Sequence, residues 1–424
     1  MIKRIFAIGA IFLCTTVAWA ILGTTIFART DGALSSLYGR VASTWGAPQE
    51  QGPVEVKYVW QEMRDVTHEE NGTKVTRREP RECSQQVPLD SSHINGKFHV
   101  DYRQKGLLWF STYTVDFAAE HAFRNPTSQA QNFVFRLPLP AKEAVYDGLS
   151  MTLDGKPLNL TIGGSEVTVQ AAIPAGAQGV LKAAYRSQGQ KSWRYRLGRG
   201  DQNQGQQQVT QANDFHMALL TDFSGFDFPE NTLSPTTKTE EGNGWELKWD
   251  YKNLISGFDI ALQMPEKLQP GPLAGEISYF APVSLFFFFF LIFILSTLRG
   301  IDLHPMNYFF LAGAFFAFHL LLAYLADHIS IHAAFALSSA VSILLVVTYL
   351  RLVVNWQFAL WNAGVAQFIY LVLFSYAFFF EGFTGLTITI GAILTLFAVM
   401  QMTGRIKWHE KFARPASVPV PLQP

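Results

Sequence analysis

The chain has 424 residues, 49% hydrophobic and only 16% charged, with 33 basic and 33 acidic side chains. So low a charged share excludes an ordinary soluble domain, for which about a quarter is usual. The absence of any basic tract leaves no footing for nucleic acid as a partner.

The first element is Ile5–Phe27, an uncharged apolar run behind Lys3 and Arg4. Ala18-Trp19-Ala20 loosely fits a signal cleavage site, but the run continues through Ile21, Leu22, Ile26 and Phe27. That exceeds the roughly 7–15 apolar residues of a signal peptide, so residues 1–28 read as an uncleaved transmembrane anchor. Leu34, Leu37, Tyr38, Val41 and Trp45 then recur at helical spacing. They predict an amphipathic helix within residues 29–52 that docks on the following domain or rests on the membrane interface, ended by Pro48 and Gly52-Pro53.

Residues 53–270 read as strands. Val54, Val56, Tyr58 and Trp60 alternate with more polar neighbours. Leu149, Met151 and Leu153 run into Asp154-Gly155, a hairpin signal, and Leu158, Leu160 and Ile162 return. Val167 and Val169 precede Pro174-Ala175-Gly176, after which Leu181, Ala183 and Tyr185 alternate. Trp245, Leu247, Trp249 and Tyr251 share one face of the clearest strand. Such spacing predicts an all-β, sandwich-like domain, as one large sandwich or two smaller ones. Asp201–Gln211, rich in Gln, Asn and Gly, reads as a loop between halves, and Gln269-Pro270-Gly271-Pro272 as a linker. Cys14 lies in the anchor and Cys83 in this region, so they cannot pair and the domain must be stable without an internal disulfide.

Five further apolar stretches follow: Tyr279–Leu298, Met306–Ala326, Ile331–Leu350, Trp356–Phe380 and Phe383–Met402. Each meets or approaches the roughly 20 residues that cross a bilayer core. The fold class is therefore a membrane α-helical bundle of six transmembrane helices plus the β domain. The bundle occupies residues 271–403 and a tail residues 404–424. The run Phe286–Phe290 covers its helix on all sides and suits lipid contact and packing. With the N-terminus in the cytoplasm, the cytoplasmic segments hold Lys3, Arg4, Arg299, Arg351, Arg405, Lys407, Lys411 and Arg414. The short outer loops hold Asp327 and Glu381 and no basic residue, which is the positive-inside pattern. The insert then lies on the outer face, the periplasm of a Gram-negative bacterium, with both termini cytoplasmic.

Candidate chemistry is sparse. His319 lies near the middle of its span, where an ionisable residue is a functional candidate, although a histidine there can also serve packing. Asp327, His328 and His332 gather at one outer turn. The histidine spacing suits a metal only if a single helix carries both, and no metal site is assigned. His304 and Pro305 stand at a helix start, where proline is favourable. Glu381 sits in an outer loop. The insert carries no G-x-S-x-G, H-E-x-x-H, C-x-x-C or phosphate-binding glycine loop, so no catalytic residue and no cofactor is expected.

The stretch Asp302-Leu303-His304-Pro305-Met306-Asn307-Tyr308, with Leu320–His328 at the other end of the same span, resembles the CreD family of inner-membrane proteins. That family closes a span on L-H-P-M/x-x-Y and ends the next on L-L-L-x-x-L-S-E-H; here Ala326-Asp327 replaces Ser-Glu. Thr403–Trp408 resembles the family's T-R-x-x-D-W end, with Lys407 for the acid. Tyr38–Pro53 and Gly244–Trp249 are weaker echoes, and Ser296-Thr297 stands where the family has an acidic residue. The resemblance implies a role in envelope integrity or stress response, and it supplies no catalytic residues. Its matching positions are His304, Pro305, Tyr308, Asp327 and His328. The expected function is a non-enzymatic envelope protein whose partners are membrane lipid and a periplasmic or envelope protein or glycan. The alternative is a small transporter or channel with His319 and Asp327 on its path. A third class, an enzyme on a periplasmic or lipid substrate, has no motif behind it.

Overall fold

Six helices of the computed structural model are long and apolar enough to cross a membrane. They are α1 (Ile2–Trp45), α2 (Pro270–Leu298), α3 (Pro305–Leu325), α4 (Ile331–Val353), α5 (Trp356–Phe379) and α6 (Thr384–Thr403). The structure describes residues 2–70, 73–105, 108–142, 144–198, 209–380 and 382–404. The chain divides into two units: Met1–Ser35, Gly106–Leu108 and Leu268–Pro424 form one, Ser36–Lys105 and Trp109–Lys267 the other.

Two helix boundaries differ from expectation. The anchor and the amphipathic segment are one helix, because the lone Gly32 between them costs only about 1 kcal/mol and nothing else there breaks a helix. Its stop is Gly46, not Pro48. Gly46 takes φ +99°, and its N–H donates to the Ala42 carbonyl at 3.0 Å. At this end Val41 is buried and Trp45 lies under the Arg103 guanidinium, 3.4 Å from the ring centroid, so the amphipathic face docks on protein. The second difference is at Pro270-Gly271-Pro272, which is the first turn of α2 and not a linker. Proline fits there because the first helical N–H groups have no intrahelical acceptor.

In the membrane unit, α2 to α5 share one core that includes Leu285, Phe288, Phe315, Phe318, Leu350 and Leu371. Within Phe286–Phe290, Phe288 and Phe289 turn inward while Phe286 stays half exposed. Short turns join antiparallel neighbours. Helix α1 runs antiparallel along α2 through a seam of small residues. A Cβ on Gly271 would stand 2.5 Å from Thr30 Oγ1, one on Gly275 3.0 Å from the Phe27 ring, and one on Gly23 3.4 Å from Tyr279. In lipid, such close backbone approach replaces the hydrophobic drive that joins helices in water.

The second unit is built from strands β1 (Gln49–Gln51), β2 (Glu55–Glu70), β3 (Thr73–Gln86), β4 (Leu89–Lys105), β5 (Leu108–Arg124), β6 (Gln131–Pro138), β7 (Tyr146–Leu153), β8 (Lys156–Pro157), β9 (Thr161–Gly163), β10 (Glu166–Ile173), β11 (Gln178–Gln190), β12 (Ser192–Tyr195), β13 (Thr210–Thr221), β14 (Thr237–Glu241), β15 (Gly244–Ser256) and β16 (Ile260–Gln263). They form sheets of order β14-β15-β13-β4-β5-β11-β7-β8, β3-β2-β6-β10-β9 and β1-β12-β16. Period-two alternation sends Tyr113, Val115, Phe117, Ala119 and Phe123 of β5 to one buried face. Two cores lie on that face. Phe98, Phe117, Phe215 and Trp249 pack with Trp193 and Leu262 of the three-stranded sheet. Phe123, Leu181 and Ala183 pack with Phe133, Phe135 and Val167 of the five-stranded sheet.

The hairpin at Asp154-Gly155 forms, with φ +50° and +79°, but its return strand is only Lys156–Pro157. Pro157 removes a ladder donor, and Thr161–Gly163 pairs instead with β10 in another sheet. Thr210 and Gln211 belong to β13, Val209 stands just ahead of it, and residues 201–208 of the expected loop lie outside the described residues.

His121 of β5 is buried, with Nδ1 2.9 Å from Ser92 Oγ. Burial lowers its pKa to about 4. Unfolded, it takes a proton near pH 6.5. Between these values the unfolded state holds more protons, so stability falls as pH drops from 6.5 towards 4, by about 3 kcal/mol in total. The full-length protein in detergent should therefore show a falling unfolding midpoint over that range, followed by tryptophan fluorescence. His121→Gln should flatten the fall, and an unchanged pH profile would refute the assignment. In the membrane unit, Gly275→Leu should separate α1 from α2. Disulfide cross-linking of cysteines placed at Gly23 and Tyr279 should then drop several-fold; cross-linking as efficient as with Gly275 would exclude the glycine seam.

Candidate functional site

The resemblance residues cluster at the two ends of α3. At its start, the Met306 N–H donates to His304 Nδ1 at 3.2 Å, and Pro305 occupies the first turn. This is helix capping, in which a side-chain acceptor satisfies an otherwise orphan N–H. Tyr308 is buried with its ring edge-on to Phe289 at 5.3 Å, and its hydroxyl has no hydrogen-bond partner among the described residues. At the far end, Arg29 Nη2 forms an ion pair with Asp327 Oδ2 at 3.1 Å and donates to the Ala323 carbonyl at 3.2 Å, with its guanidinium 5.6 Å from the Tyr324 ring centroid.

A second ion pair mirrors this one. Arg4 Nη1 donates to Asp302 Oδ1 at 2.8 Å, just ahead of α3. The chain length from Arg4 to Arg29 equals that from Asp302 to Asp327, so α1 and α3 run parallel and are tied at both ends. At 1.5 Å per residue the ties stand about 37 Å apart, slightly more than the hydrocarbon core of a bilayer. Between them Trp19 meets His319 edge-on at 5.7 Å and Phe316 at 5.2 Å.

His319 is fully buried. Its Nδ1 donates to the Phe315 carbonyl one turn back at 3.0 Å, while Nε2 and Trp19 Nε1 have no partner among the described residues. His328 lies in the turn between α3 and α4, and His332 stacks on Phe379 at 5.2 Å. The helical spacing that a two-histidine metal pair needs is therefore not met. Ser330 breaks the helix and caps α4, its Oγ accepting the Ala333 N–H at 3.4 Å. Glu381 lies outside the described residues.

Sequence reading missed one polar node in the bundle. Helix α5 contains two π-helical segments, Ala359–Gly364 and Phe368–Leu373, which flank the buried Gln367. Gln367 Nε2 donates to Ser342 Oγ at 2.7 Å, and Ser342 Oγ donates to the Ala314 carbonyl at 2.6 Å. The signal was present as an amide at the middle of an apolar span, Gln367, beside a neighbouring span that carries Ser338, Ser339 and Ser342. The node joins α5, α4 and α3, and its hydrogen bonds are those expected of polar side chains in a membrane bundle.

The β unit carries a second missed cluster, on the exposed face of the eight-stranded sheet. Strands β4 and β13 pair in parallel with His93 opposite His216, and β15 places Asp250 opposite His216 on the other side. The two imidazole rings are 4.8 Å apart. His216 Nδ1 donates to Asp250 at 2.6 Å, and its Nε2 stands 3.2 Å from Asp214 Oδ1. His93 Nε2 lies 3.8 Å from the other Asp214 oxygen. The hydrogen bond to Asp250 raises the His216 pKa, with burial opposing and Asp214 adding to it. Asp214 takes φ +41°, and Asn213 and Asp214 are both exposed ahead of the buried Phe215. Asp214, two residues before His216, shares its face by the strand's period of two. Only Asp214 and His216, two apart on a strand, are close in sequence; β4 and β15 bring the rest.

No curated protein matches the sequence. Among solved structures, a provisionally assigned nutrient binding protein of Legionella pneumophila aligns at 8% identity and TM-score 0.30, over 48% of this chain and 71% of its own. An M1 zinc metallopeptidase of Deinococcus radiodurans aligns at 12% identity and TM-score 0.26, over 42% of each chain, so this protein spans under half of that enzyme. Likeness at these scores carries no argument. Residues 277–409 do match the model of a family described as inner membrane protein CreD, which covers α3 to α6 and nearly all of the membrane-crossing part of α2, so over that stretch the chain is similar to that family.

Proposed function

We propose that this chain is a non-enzymatic inner-membrane protein that contributes to cell-envelope integrity or envelope stress response, with a periplasmic β-sandwich that binds or senses an envelope component. The observation that carries the reading is the pair of ties between α1 and α3. Parallel α1 and α3 put the N-terminus and the His304 end of α3 on one membrane face. They put Arg29, Asp327 and the chain leading to the β unit on the other. The basic residues of the short loops favour the first face as cytoplasmic. Arg29, a basic residue on the outer side, is neutralised by Asp327. The cores on one face of the eight-stranded sheet favour a two-layer sandwich whose opposite face is free for a partner.

Transport receives no support from its two key residues. Asp327 is held by Arg29, and His319 is enclosed by Trp19, Phe315 and Phe318. Filling the site with an apolar side chain separates packing from chemistry. His319→Leu should keep the protein's stability and its complementation of a deletion strain under envelope stress, whereas His319→Ala should cost about 2–4 kcal/mol through a cavity. Loss of complementation by a stably folded His319→Leu would overturn the packing role. Topology is tested by reporter fusions. A reporter active only outside the cytoplasm should be active at Ser330 and inactive at Gly300, and the reverse pattern refutes the orientation.

A further inference from the structure

From the cluster on the outer face of the eight-stranded sheet, we propose that His93, Asp214 and His216 form a Zn²⁺ site, with Asp250 as the group that orients His216. Each of the three offers one ligand atom, and these atoms lie within 4.8 Å of one another. Zinc ligands stand about 2.0–2.2 Å from the metal, so neighbouring donors close to roughly 3.3 Å apart, within reach of small side-chain rotations here. Two imidazoles and a carboxylate are a borderline donor set that favours zinc and its neighbours over Mg²⁺ and Ca²⁺, which take oxygen ligands.

Three features distinguish the site from a chance surface grouping. The strand register fixes the donors: His93 and His216 are paired positions on β4 and β13, so their spacing is set by the backbone ladder. Asp214, two residues before His216 on β13 and held at φ +41°, sets a carboxylate on the same face as His216 and against its Nε2. Asp250 engages His216 Nδ1, which fixes the tautomer and leaves Nε2 for a metal. A carboxylate behind a ligating histidine is the usual outer partner of metal-bound imidazole. Three protein donors leave a fourth tetrahedral position open to water or to a ligand group from a partner. The site would tie β4 to β13 directly and reach β15 through Asp250, and it does not depend on the orientation of the membrane unit.

The test uses the full-length chain purified in detergent without a polyhistidine tag, stripped with chelator, and titrated with Zn²⁺ against a chromophoric competitor. The wild type should bind one equivalent saturably, and excess Mg²⁺ or Ca²⁺ should not displace it. His93→Ala/His216→Ala should abolish that equivalent. Asp250→Asn should weaken it 10–100-fold, as loss of outer-shell partners does. His328→Ala/His332→Ala should leave it unchanged. Unfolding midpoints measured without metal report on folding, and should the double alanine variant unfold, Asp214→Asn, which keeps the side-chain volume, takes its place and should likewise abolish binding. Zinc should raise the unfolding midpoint of the wild type and not of the ligand variants. Absence of a saturable equivalent, equal binding by a folded ligand variant, or loss of the equivalent in His328→Ala/His332→Ala would overturn the proposal.

Discussion

The membrane unit depends on how α1 is held. A first helix with a large insert behind it gains nothing from the hydrophobic effect by joining a bundle in lipid, since lipid tails are as apolar as its own side chains. Here close backbone contact and charge pairing do the joining. Glycines at 23, 271 and 275 let α1 and α2 approach, and Arg4–Asp302 and Arg29–Asp327 fix α1 against α3 at both interfaces. Trp19, packed beside His319, fills the space between the ties.

This arrangement has a consequence for the insert. Because Thr30 touches Gly271, the two points where the chain leaves and re-enters the membrane unit are adjacent. Loop-closure entropy grows only slowly with loop length, so a domain of any size can be accommodated between them once that junction is made. The family match begins at residue 277, within α2, and so leaves the insert and α1 outside it.

Polar groups in the two units follow opposite rules. Inside the bundle, Gln367 Nε2, Ser342 Oγ and His319 Nδ1 donate to a backbone carbonyl or to one another, where no water competes for them. On the sheet face, His93, Asp214, His216 and Asp250 converge although solvent could satisfy each alone. Convergence without a desolvation need, together with a positive φ at Asp214, is the ground on which the zinc site is proposed.

Length and polarity alone determined the membrane spans, because a bilayer sets one thickness that every helix must meet; the predicted ends agree with α3, α5 and α6 to within a residue or two. Alternation likewise made β15 and the strands around Val56 and Val169 legible, since one face of each is buried. Local signals failed where a neighbour decided. Pro270 looked like a breaker and became a helix start, and the Asp154-Gly155 turn returned only two residues of strand because β10 claimed the next segment. The candidate site divides in the same way. Asp327 and His319 could be singled out from sequence, but not their partners Arg29 and Trp19, nearly 300 residues away. The His93, His216 and Asp250 row exists only through strand register, a long-range pairing that no local pattern encodes.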